Sequence, residues 1–121
     1  MSVCMTRPRV LILDDDPGFC NSATRCLTTH GIDVAGVTSV RAAVAALEVG
    51  GFALLLVDEQ YAFDVLVAHG ARADAVPAVV FSSQPTSDPR GDLPPALRGA
   101  VLAVLHKPLR WHELRYLIDH H

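Results

Sequence analysis

The chain has 121 residues, half of them hydrophobic and 6% aromatic, with a formal net charge of −3. That is the length and composition of one globular domain with one core, and the slight acidity leaves no basic footprint for nucleic acid. No apolar stretch is long enough to span a bilayer, and Arg7 and Arg9 do not precede the apolar segment and cleavage site of a signal peptide.

Met1 to Pro8 reads as a frayed polar lead-in. The apolar run Val10 to Leu13 is too short for a helix and has turn chemistry after it, so the first strand spans about Arg9 to Leu13. It stops abruptly on Asp14-Asp15-Asp16-Pro17. Adjacent like charges repel unless something positive offsets them, and a hard cation such as Mg²⁺ prefers carboxylate oxygen and water. A solvated acidic turn in which Asp16 caps the next helix explains the same residues without a metal.

A helix is predicted from about Pro17 to His30, its apolar side made by Phe19, Ala23, Cys26, Leu27 and His30, with Gly31 as the stop. Asp33 to Val37 is a second short strand. Ser39 caps a helix striped by Val40, Ala43, Val44 and Leu47 and ended by Gly50-Gly51. Phe52 to Asp58 is continuously apolar until its final carboxylate, as a central parallel strand should be. Phe63 to His69 is at best a short helix. Pro77 to Ser83 is the fourth strand, ending in two hydroxyls.

Between Gln84 and Pro95 stand Pro85, Pro89, Pro94 and Pro95, so a helix there is short or displaced. Val101 to His106 is the fifth strand and runs into Lys107-Pro108. The last helix starts near Leu109 and buries Trp111, Leu114, Leu117 and Ile118. Strand and helix alternate with short connections, the pattern of a doubly wound α/β domain: a five-stranded parallel sheet with helices on both faces. The cysteines Cys4, Cys20 and Cys26 show neither a disulfide framework nor metal spacing. They read as reduced thiols of a cytoplasmic protein. The closing His120-His121 pair is given no role.

Open α/β sheets bind ligands at the carboxyl ends of their strands. Those ends carry Asp14 and Asp15, Asp58, Ser82 and Lys107. Carboxylates for a divalent cation, one carboxylate as nucleophile, and a hydroxyl and an ammonium for phosphate oxygens form a set suited to phosphoryl transfer.

Four segments carry a resemblance: Val10-Leu11-Ile12-Leu13-Asp14-Asp15, Leu55-Leu56-Val57-Asp58, Val79-Val80-Phe81-Ser82-Ser83 and Leu105-His106-Lys107-Pro108. In this order and spacing they resemble the receiver domains of two-component response regulators, a flavodoxin-like fold, over nearly the whole chain. The resemblance implies that residues 1–121 form a single receiver domain and that Asp58 accepts a phosphoryl group. Asp14, Asp15, Asp58 and the backbone carbonyl of Gln60 would hold Mg²⁺. Ser82 would be the switch hydroxyl and Lys107 the partner of the phosphoryl group, with a cis Lys107–Pro108 bond. Gln60 and Gln84 would tune the lifetime of the phosphate.

The implied partners are a sensor histidine kinase or phosphotransfer protein and a downstream protein target, with self-association as a homodimer also open. Such a domain is not an enzyme beyond catalysing its own phosphorylation and dephosphorylation. No output segment is expected after the last helix.

The sequence departs from the family in three places. Glu59 to Asp64 lacks the usual proline and glycine, and the interval from Asp58 to Ser82 is short, so the third helix should be trimmed. Val104 stands where the family carries Tyr or Phe. The prolines rebuild the face of the fourth helix, fifth strand and fifth helix, which makes ordering of Gln84 to Pro95 the expected effect of phosphate. These departures motivate an alternative, a phosphate-independent interaction module of the same fold. Asp14-Asp15-Asp16 also resembles the Asp-x-Asp of haloacid-dehalogenase-type phosphatases, but the later acidic pair and room for a cap are missing.

Overall fold

The computed structural model describes residues 8–69, 76–83, 88–107 and 110–119. The expectations placed on the lead-in before Pro8, on Cys4, on Gln84 and Pro85, on the Lys107–Pro108 bond and on His120-His121 lie outside those residues.

Five parallel strands form one sheet in the order β2-β1-β3-β4-β5. They are β1 (Arg9–Leu13), β2 (Asp33–Val37), β3 (Leu54–Asp58), β4 (Ala78–Ser82) and β5 (Val101–His106). The helices are α1 (Pro17–Thr29), α2 (Val40–Val49), α3 (Glu59–His69), α4 (Pro95–Arg98) and α5 (Trp111–Asp119), with a 3₁₀ turn at Pro89–Asp92. The chain order reverses between β1 and β3, which makes that crevice the topological switch point of the sheet.

The central strands read as unbroken apolar runs because both their faces are covered. Leu11, Leu13, Leu55, Val57, Ala78 and Val80 face Ala43 and Leu47 of α2 and Ala62, Val65 and Leu66 of α3. The alternate residues Val10, Ile12, Leu54, Leu56, Val79 and Phe81 face Ala23 and Leu27 of α1 and Leu114 of α5. The period-2 alternation of each strand thus builds two cores, one per layer of helices.

Local chemistry sets the element ends. Asp16 accepts the Gly18 N–H at 2.9 Å and Ser39 accepts the Ala42 N–H at 3.1 Å, so both cap as expected. Gly50 and Gly51 stop α2 at φ +91° and +90°, a region closed to most side chains. His30, expected on the buried side of α1, is exposed instead. The helix ends at Thr29, and His30 is its C-cap, with its ring nitrogen Nδ1 2.9 Å from the Cys26 carbonyl oxygen.

Two elements differ from expectation more substantially. β3 begins at Leu54, leaving Phe52 outside it with the Arg9 guanidinium 4.6 Å above its ring. α3 is not a short helix from Phe63: it starts at Glu59, directly after β3, and runs 11 residues. Without proline or glycine in Glu59 to Phe63, nothing forces a loop, and the Asp58 carboxylate accepts the Gln60 N–H at 3.0 Å to start the helix. Among its described residues, the proline-rich region gives a 3₁₀ turn and a four-residue helical turn, as its composition dictates. An open apolar cavity of about 430 Å³ lies between β5 and α5, lined by Ala103, Leu105, Tyr116 and Leu117 among others. No helix among the described residues is long and apolar enough to cross a membrane.

Candidate functional site

At the end of β1, Asp14 is 1% exposed, and its Oδ1 accepts the Asp16 N–H at 3.0 Å. At the end of β5, the Lys107 N–H donates to the Ser82 carbonyl at 2.8 Å, which ties it to the end of β4. From there the Lys107 ammonium donates to Asp58 Oδ2 at 3.0 Å and to Asp14 Oδ2 at 3.3 Å. Three strand ends that are far apart in sequence therefore meet at one nitrogen.

Two aromatic rings sit beneath that ammonium. Its nitrogen lies 4.9 Å from the Phe19 centroid and 5.0 Å from that of Phe81, and the two rings are 4.8 Å apart. Their electron-rich faces favour the cation and exclude water from its underside.

The titration behaviour follows from these contacts. Burial raises the Asp14 carboxyl above its ordinary value and the nearby Asp58 charge adds to that, although the Asp16 N–H and Lys107 oppose it. Burial alone would lower Lys107, but its hydrogen bond to Asp58 and the charges of Asp58 and Asp14 outweigh this and raise it. The site is thus a buried carboxylate reluctant to ionise beside an ammonium reluctant to lose its proton.

Asp15 behaves differently. It is exposed, and the Tyr61 hydroxyl hydrogen-bonded to it holds its carboxyl below the usual range. Gln60 Nε2 also approaches Asp15 Oδ2, at 3.5 Å. Burial and this bond to Asp15 raise the Tyr61 hydroxyl in turn. Among the described residues, no group of three or more His, Cys, Asp and Glu side chains is gathered closely enough to hold a metal ion. The acids are arranged as a pair, Asp14 and Asp58, on Lys107, with Asp15 drawn aside by the first turn of α3.

Ser82 is fully buried, and its hydroxyl donates to Glu59 Oε1 at 2.6 Å. Gln60 lies in the first turn of α3, where helical geometry directs its carbonyl along the helix axis. Asp16 is occupied as the cap of α1, and Val104 is half-buried against the core that includes α2 and α3. Cys20 lies against the Asp14 carbonyl, with Sγ–O 3.5 Å, and burial followed by the Asp14 charge raises its thiol.

The residues missed by reading the sequence are Glu59, Tyr61, Phe19 and Phe81. The missing proline and glycine after Asp58 were the available signal: a helix starting at once brings Glu59 and Tyr61 to the strand ends.

No protein-family model matches the sequence, and no curated protein matches it. Solved structures do. A response regulator receiver protein from Pseudomonas putida superposes with TM-score 0.79 at 23% identity, covering 96% of this chain and 98% of that one. A sensor protein from Polaromonas sp. gives TM-score 0.78 at 24% identity, with 95% of each chain covered. A CheY-like response regulator receiver domain from Methylobacillus flagellatus gives 0.73 at 17%, covering 95% and 98%. The chain has the flavodoxin-like fold of response regulator receiver domains.

Proposed function

We propose that this chain is a phospho-accepting receiver of a two-component system. Asp58 takes a phosphoryl group from a phosphohistidine of a sensor histidine kinase or phosphotransfer protein in the cytoplasm. The phosphorylated chain then signals through contacts with a protein target. The observation that carries this reading is the Lys107 ammonium on Asp58 and Asp14 together, at 3.0 and 3.3 Å.

In the transfer, an Asp58 carboxylate oxygen attacks phosphorus. The new P–O bond forms as the bond from phosphorus to the imidazole nitrogen breaks, its electron pair staying on nitrogen. Lys107 neutralises two carboxylates at rest and turns to the phosphoryl oxygens once they arrive. Its contacts with Asp58 and Asp14 favour the charged form in the resting site. The Ser82 hydroxyl is the further donor to those oxygens.

Mg²⁺ needs only one or two carboxylates beside water and phosphate, and the pair Asp14 and Asp58 gathered on Lys107 offers two. Asp14 and Asp58 would hold it, and Asp15 and the Gln60 carbonyl would join only by turning from the positions that the first turn of α3 gives them. Bound there, Mg²⁺ neutralises charge on the transferring phosphoryl oxygens. The side chains of Gln60 and Gln84 would tune how water reaches the acyl phosphate.

The test is intact mass after incubation with acetyl phosphate and Mg²⁺, beside Asp58→Asn. A single phosphoryl adduct confined to the wild type supports the reading. An unmodified wild type, or an adduct retained in Asp58→Asn, refutes it.

A further inference from the structure

We infer that Glu59 is a resting-state latch on the Ser82 hydroxyl, one that a phosphoryl group on Asp58 opens by competing for the same proton. This rests on the phospho-acceptor reading above and names how that site is regulated.

The Ser82 hydroxyl donates to Glu59 Oε1 at 2.6 Å, within the range of about 2.5–2.7 Å for a hydroxyl on a carboxylate. A serine hydroxyl has one proton to donate. A phosphoryl group on Asp58 brings three acceptor oxygens and about −1.5 to −2 charges into the site. Glu59 and the phosphoryl group are then rival acceptors.

Their freedom to move is unequal. Ser82 is fully buried at the end of a strand buried throughout. Glu59 is half-buried at the first position of α3, so its carboxylate has a path to solvent that the Ser82 hydroxyl lacks. The new charge on the neighbouring residue repels it, and a helix N-terminus still favours an acid nearby. Phosphorylation therefore exchanges one hydrogen bond of Ser82 for another and releases a carboxylate at the start of α3. Glu59 is a positioning residue. It gives the site a moving part at α3, where Val104 on β5 is too small to provide one.

The experiment measures beryllofluoride affinity in the presence of Mg²⁺, and the phosphorylation rate with acetyl phosphate, on the full chain. It compares wild type, Glu59→Ala, Glu59→Gln, Ser82→Ala and the double variant Glu59→Ala/Ser82→Ala. Loss of one competing charge-assisted hydrogen bond should tighten beryllofluoride binding about tenfold in Glu59→Ala. Glu59→Gln, which keeps a neutral acceptor and the side-chain shape, should fall between it and the wild type. It also serves as the test variant if Glu59→Ala does not fold. With Ser82 already replaced, removing Glu59 should change affinity by no more than roughly twofold, because the contested proton is gone.

An equal gain in both backgrounds would mean that Glu59 acts by charge alone, and would overturn the latch. A wild type that forms the adduct beside Glu59 variants that behave identically would overturn the latch and leave the acceptor reading standing. No adduct in the wild type or any variant would overturn the acceptor reading, and the latch with it.

Discussion

Replacing Lys107 with methionine removes the cation between Asp14 and Asp58 while keeping an unbranched side chain one atom shorter. At an effective dielectric near 20, unit charges ~4 Å apart interact by about 4 kcal/mol, and stripping one partner from a buried pair costs about 3–5 kcal/mol. Lys107 is 27% and Asp58 17% exposed at the side chain, so water recovers part of that. A second limit is proton uptake. Protonating a carboxyl of ordinary pKa 3.8 at pH 7 costs about 4 kcal/mol, and Asp14 already lies above that value.

The expected loss for Lys107→Met is therefore about 2–3 kcal/mol at pH 7. The sign with pH follows from Asp14. Its folded pKa exceeds the unfolded one, so the folded state binds the extra proton and the penalty grows as pH rises from 3.8 through the raised value. At pH 4.5 protonation is nearly free, and the loss should shrink to about 1 kcal/mol. Urea unfolding of wild type, Lys107→Met and Lys107→Met/Asp14→Asn at both pH values checks this. The double variant should recover most of the loss at pH 7. An equal loss at both pH values, or no recovery, would refute the electrostatic account of the site.

Three further outcomes are expected. Mg²⁺ affinity measured by calorimetry should weaken as pH falls toward the raised Asp14 value, and Asp14→Asn should flatten that dependence; an unchanged slope in the variant would remove Asp14 from the metal site. His69 Nε2 accepts the buried Val76 N–H at 3.0 Å, so His69→Leu should lower unfolding stability by about 1–3 kcal/mol, and a neutral result would contradict the assigned bond. Gly50→Ala forces a side chain into φ +91° and should cost about 1–2 kcal/mol in thermal unfolding, although a Cβ there meets no neighbour within 4 Å.

The architecture was legible because its strands are buried on both faces. Val10 to Leu13, Leu54 to Val57 and Ala78 to Phe81 carry no polar residue and are too short for helices, as strands covered on both faces are. The residues that break those runs, Asp14, Asp58 and Ser82, stand by the same logic at the carboxyl edge of the sheet, where open α/β sheets bind ligands. The start of α3 was not legible. Asp58 acts both as the last residue of β3 and as the acceptor that begins the helix, a double use that no propensity reveals. Everything depending on that start was hidden with it, including the Glu59–Ser82 bond and the turn of Asp15 toward Tyr61. These contacts join residues distant in sequence, and a shift of α3 by a few residues would abolish them.

The central claim is that Asp58 becomes an acyl phosphate. The most direct measurement is the chemistry of the adduct formed from acetyl phosphate and Mg²⁺, followed by mapping of the modified residue. The expected adduct is lost on treatment with hydroxylamine and, when trapped by borohydride reduction, maps to Asp58. A hydroxylamine-resistant adduct, or one that maps to Ser82 or a histidine, would contradict the account.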